Sequence, residues 1–67
     1  MDKTTKAAII TRRADAALIS EHWRVLSRQH QENGNYILAG LCMFRARGAD
    51  EAVAMCDKML NDNRQEA

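Results

Sequence analysis

Residues 36–44 read YILAGLCMF, nine apolar or small side chains in succession inside a chain of 67 residues. The length allows one domain, near the size where a single core barely suffices. Proline is absent and only three glycines occur. Leu38, Ala39, Leu41 and Met43 are good helix formers, and no second strand-like run exists to pair with this one. The segment is therefore expected to be a helix, from Tyr36 to about Arg47. Wound at 100° per residue, its apolar side chains cover the whole circumference, and such a helix is buried on all sides. So short a chain has little to bury it with, so another chain is expected to cover part of it, and symmetric dimerisation is the usual solution.

Two further helices are expected. The first runs from about residue 5 to 31, with Asp2, Thr4 and Thr5 as candidate N-caps. Ile9, Ala16, Ile19, Trp23, Leu26 and His30 recur at spacings of three, four and seven, and so share a face. Ala7, Ala14, Leu18 and Val25 make a second, narrower stripe. In QENGNY, Gly34 suits the left-handed position that closes a helix, with Asn33 or Asn35 at the cap. In RGAD, Gly48 reads as a second C-cap and Asp50 as an N-cap, which begins a third, amphipathic helix over about residues 50–61. NDNRQEA is expected to fray. The fold class is then all-α: a helical hairpin with a long first helix and a broken antiparallel return, dimerising into a helical bundle. Ile19, Trp23, Leu26, Ile37, Leu41, Met55 and Met59 are its expected core or dimer residues.

Net charge is +1, but its distribution is uneven. Residues 1–31 hold six Lys/Arg against three Asp/Glu, and residues 50–67 two against five. A basic half followed by an acidic half suits head-to-tail pairing, within one molecule or between two. The N-terminus lacks the apolar core of a secretory signal, and no run reaches the roughly 18–20 apolar residues of a membrane span. Cys42 and Cys56 read as free thiols in a reducing cytosol.

Catalytic and cofactor chemistry finds no support. His22 and His30 are eight residues apart on one helix, about 12 Å of rise, so they do not converge on one zinc ion. The cysteines lack close pairing, and neither a phosphate-binding glycine loop nor a nucleophile elbow occurs. His30 near Cys42 across the turn reads as a helix-end histidine beside a core thiol. No enzyme activity, metal or cofactor is expected. Tyr36, Phe44, Arg45 and Arg47 combine aromatic anchors with arginines, the composition of an interface centre, and form the expected partner-binding patch. Met43, Met55 and Met59 add adaptable surface. The alternative is a small dimeric RNA-binding bundle of the plasmid copy-number type, using Lys6, Arg13, Arg24 and Arg28. The near-neutral total and Glu21 among those charges argue against it.

Two resemblances add to this reading. Residues 35–62 resemble a single tetratricopeptide hairpin at Tyr36, Gly40, Ala52 and Leu60. They depart from that pattern in the position of Gly48, in Met59 and in the missing closing proline. The stretch TRRADAALISEHWRVLSRQHQENGNYILAG and the overall plan resemble small phage-encoded host-takeover proteins of the quorum-sensing anti-activator type. That resemblance implies a homodimer in the host bacterial cytoplasm that binds a LuxR-type transcription regulator and blocks its DNA binding. It also implies more than one host target, since related proteins engage a pilus assembly ATPase.

Overall fold

The computed structural model describes residues 1–66, and the side chains of residues 1–62. It contains two helices, α1 over Lys3–Glu32 and α2 over Tyr36–Glu66, packed as an antiparallel hairpin. The all-α hairpin is thus as expected. Asp2 caps α1, its carboxylate accepting the Thr5 backbone N–H at 2.7 Å. At the other end the backbone closes in a Schellman turn. The N–H of Asn35 bonds to the carbonyl of His30 at 2.7 Å, and that of Gly34 to Gln31 at 3.0 Å. Gly34 has φ +78°, the left-handed conformation that the sequence suggested. Asn35 then accepts the Ala39 N–H at 3.0 Å and α2 begins at once, so the short turn forces the helices antiparallel.

The expected break at Gly48 and Asp50 does not occur. Helix α2 runs through both, and through the expected tail as far as Glu66, with only Ala67 outside the described residues. The turn that the tetratricopeptide likeness implies is therefore absent as well. The reason lies in the seam between the helices. On α2 the positions Ala39, Cys42, Ala46, Ala49, Val53, Cys56 and Leu60 are buried or half-buried. Their spacings alternate three and four, the phase of an uninterrupted coiled-coil stripe. Ala46, Ala49 and Val53 stay in phase only if the helix continues through Gly48. Asp50 is not free to cap either, because its carboxylate accepts the Ser20 hydroxyl at 2.5 Å and pairs with Arg24.

The matching seam on α1 is Ile9, Arg13, Ala16, Ser20, Trp23, Ser27 and His30, again at spacings of three and four. Most α2 seam side chains are small, and Ala16, Ser20 and Ser27 are the small ones on α1. Ser20 and Ser27 are buried, and the Ser27 hydroxyl donates to the Ala39 carbonyl at 2.9 Å, which satisfies it. Ala46 has no exposed surface at all. Cys42 and Cys56 are free and buried on the same helix, about 21 Å apart along it at 1.5 Å per residue, beyond reach of one another.

Small seam residues have a consequence for the large ones. Of the seven expected core or dimer residues, Trp23 and Leu26 are half-buried. Ile19, Ile37, Leu41, Met55 and Met59 are exposed, so the core reading is corrected for these five and they are surface residues of the hairpin. The hairpin measures 51 × 17 × 11 Å, a single layer about one helix thick. A single layer has no second layer to bury its apolar side chains against.

Candidate interaction surfaces

Three surfaces follow from the seam. One flank of the hairpin is ionic. Arg13 pairs through its guanidinium with both oxygens of Asp57, and Arg24 pairs with Asp50. These are contacts between the basic first half and the acidic last part of the chain, made within one molecule. All four side chains are about half-exposed, so solvent screens them; they fix the register of the helices more than they hold them together. Arg28 lies 3.8 Å from Glu21. Of the four residues assigned to RNA, Arg13, Arg24 and Arg28 thus face carboxylates. Lys6 alone has no carboxylate partner among the described residues.

The Ser20 hydroxyl, and after it the Arg24 guanidinium, hold the Asp50 carboxyl below its ordinary value of 3.8. The Thr5 backbone N–H does the same for Asp2. Carboxyls lowered in the folded state contribute stability that is fully present above the unfolded value. It is lost as pH falls through the lowered folded one. The melting temperature is therefore expected to be flat above about pH 5 and to drop below pH 4. Asp50→Asn should flatten part of that drop in circular-dichroism melts. An acid slope identical to that of the parent chain would show that Asp50 is not coupled to folding.

The second surface is the outer side of the first three turns of α2. Tyr36, Gly40 and Phe44 are four residues apart, and Ile37 and Phe44 seven apart, so they share a face pointing away from the seam. Ile37 is 84%, Phe44 76% and Tyr36 72% exposed. The two aromatics lie outside the seam, which Ala39, Cys42 and Ala46 fill instead. Arg47, three residues beyond Phe44, borders the same face. Arg45 does not: its guanidinium lies over the Trp23 ring, 5.1 Å from the centroid, on the flank of the seam. Of the four residues expected to bind a partner, Tyr36, Phe44 and Arg47 thus lie on one face together with Ile37, and Arg45 lies apart from them.

The third surface is an open groove of about 830 Å³ on the flank opposite the ion pairs. Its floor is made of small residues, Ala16, Ala49 and Ala52, with Ile19 beside them. Trp23 and Arg45 close the end nearer the turn, Ala8 and Thr11 mark the other, and Arg12 and Asp15 line the stretch between. His22 packs edge-on against Trp23, ring centroids 5.4 Å apart at 70°. A rigid aromatic under a cation, beside exposed apolar surface, is a protein-contact chemistry.

Ser20, Ser27, Asp50 and Asp57 position these surfaces and were missed by hydropathy. The signal that would have found them is the three-and-four alternation of small residues, counted with serine and cysteine as seam formers. Among known proteins, no family model matches the chain, and neither a curated protein nor a solved structure is significantly similar to it.

Proposed function

We propose that this chain is a non-catalytic protein-binding module, an inhibitor that occupies the surface of a bacterial regulatory protein. The partner class is a LuxR-type quorum-sensing regulator whose DNA binding it blocks, as the phage anti-activator resemblance implies. The observation that carries the protein-binding reading is the inversion of the hairpin. Small residues fill the seam, while Tyr36, Ile37 and Phe44 stand outside as a contiguous apolar and aromatic face. Aromatic side chains offer large contact area with few rotatable bonds and dominate interface energetics when buried. The pairing of Arg13, Arg24 and Arg28 with carboxylates favours this over the RNA reading, since a compensated face releases few counterions on binding.

The test is direct. Titrating the purified protein into a LuxR-type regulator on its operator DNA is expected to release the DNA, read by fluorescence anisotropy. Phe44→Ala should weaken that release at least tenfold, the loss of one aromatic anchor of about 2 kcal/mol, with helicity and mass unchanged. No release at any concentration would exclude this regulator class. Retention of a labelled RNA, lost on Arg13→Glu, would replace the reading with the RNA one.

A further inference from the structure

We infer that the groove flanked by Trp23, Ile19 and Ala52 docks one amphipathic α-helix of a different protein, with a carboxylate of that helix on Arg45.

Shape selects a helix. The groove runs along the hairpin from Ala8 to Trp23, fifteen residues, about 22 Å at 1.5 Å per residue. That is the length of about four helical turns. An extended peptide laid there finds no strand edge for its backbone N–H and C=O groups, because those of α1 and α2 are bonded within their own helices. A helix arrives with its backbone satisfied and needs only side-chain complementarity. Ala16, Ala49 and Ala52 make a floor of small residues, so a helix axis can approach closely and fill the space with its own larger side chains. Ile19 is half-exposed and Trp23 half-buried, and they give those side chains apolar walls.

Area agrees with one such partner. The accessible surface of the hairpin is 5307 Å². A compact monomer of 7.6 kDa would expose only about 4,300 Å². The excess is roughly 1,000 Å², and a stable protein interface buries about 800 Å² per partner.

Charge says which helix. On the opposite flank Arg13, Arg24 and Arg28 each face a carboxylate. In the groove Arg12 and Arg45 have no ion-pair partner among the described residues, and Asp15 is the one carboxylate of its lining. Asp15 follows Arg12 by three residues on the same side of α1, near enough to offset its charge. Trp23 is eight residues further on, about 12 Å of rise, so Asp15 does not reach the guanidinium of Arg45 above that ring. His22, edge-on to the same ring, brings no negative charge either. The end of the groove nearer the turn is therefore positive and uncompensated. Stacking on Trp23 restrains the guanidinium, so little rotamer freedom is lost when a carboxylate pairs with it. The helix that fits carries large apolar residues at spacings of three and four, and Asp or Glu where that stripe meets Trp23. A basic helix would set like charge against Arg45.

The probes are two synthetic peptides of about 18 residues, long enough to fill the groove at 1.5 Å per residue. Both are tryptophan-free amphipathic helices with a leucine stripe; one bears glutamates beside the stripe, and its twin bears lysines at the same positions. Trp23 is the chain's only tryptophan, so its emission reports occupancy of the groove, while anisotropy of the labelled peptide gives affinity. The glutamate peptide is expected to bind saturably and shift the Trp23 emission, and the lysine twin to bind at least tenfold more weakly. Arg45→Glu should reverse that preference, and its binding of the lysine twin guards against a variant that merely fails to fold. Arg12→Glu should matter less, because Asp15 already offsets Arg12. This surface is separate from Tyr36, Ile37 and Phe44, so Phe44→Ala should leave peptide binding unchanged while it impairs action on the regulator. Either binding activity can thus fail with the other intact. Equal binding of the twins, no shift in Trp23 emission, or an Arg45→Glu variant with unchanged preference would each overturn the inference. So would a chain that scatters light at twice its protomer mass and takes up neither peptide, which would assign the groove to a second copy.

Discussion

Ala46→Leu is expected to be the most damaging single substitution in this hairpin, lowering stability by about 1–3 kcal/mol through overpacking. Ala46 has no exposed surface, and it sits on the seam midway between Cys42 and Ala49, themselves buried and half-buried. Ser27 reaches the Ala39 carbonyl on one side of Ala46 and Ser20 reaches Asp50 on the other, so the helices are close there and little room exists for three more carbon atoms. The helices would have to separate or shift register. Separation stretches the hydrogen bond from Ser27 to the Ala39 carbonyl and the contacts of Ser20 and Arg24 with Asp50. In an ordinary amphipathic pair the same change adds apolar contact and stabilises. Thermal melts monitored at 222 nm decide between the two, since a raised midpoint for Ala46→Leu would mean that the seam is not close-packed.

Two glycines are expected to respond to substitution with opposite signs. Gly34 holds φ +78°, and a β-branched side chain there meets its own backbone, so Gly34→Val should cost about 1–2 kcal/mol. The space around Gly34 is open, so the cost is conformational and not a clash with a neighbour. Gly48 lies inside α2 with ordinary helical backbone, and nothing stands near the position that a Cβ would take. Gly48→Ala should therefore stabilise by up to about 1 kcal/mol, by reducing the entropy of the unfolded chain. Denaturant titrations of both variants measure the difference directly. Destabilisation by Gly48→Ala would show that α2 is interrupted there and that Gly48 closes a helix, as its setting in RGAD first suggests.

The hairpin was legible in the sequence to a useful depth. Its helical class follows from composition, and Gly34 marks the turn because no other residue in QENGNY takes a left-handed conformation so cheaply. Asp2 is one of three candidate caps, and α1 starts behind it at Lys3, two residues before the expected bound. The halves of opposite charge foretell the contacts of Arg13 with Asp57 and Arg24 with Asp50. Gly48 misled because glycine beside a good N-capping residue is a local stop signal. The decision belonged to Ser20 and Arg24, which hold Asp50 from another helix, thirty and twenty-six residues away in the chain. Hydropathy misled in a second way by ranking Ile19, Ile37 and Leu41 above alanine, serine and cysteine as interior residues.

The candidate surfaces show the same division. The excess of apolar side chains over what 67 residues can bury is a property of the sequence alone, and so is the prominence of Tyr36 and Phe44. Local physics settles such things: propensity, capping and the count of apolar groups need no knowledge of a neighbour. Which side chains pay for the seam and which remain outside is settled only in three dimensions. The two helices approach closely along Ala16, Ser20, Ser27, Ala39 and Ala46, with Ile9 and Leu60 on the seam toward its open end and Ile19, Ile37 and Leu41 left outside it. That choice turns Arg45 onto Trp23 and away from Phe44, leaves Asp15 facing solvent, and delivers the large apolar groups to the surface. The sequence determined that the chain is helical and over-rich in apolar surface. The tertiary structure decided where that surface lies, because contact between helices depends on the shape of the whole seam and not on the hydropathy of any one residue.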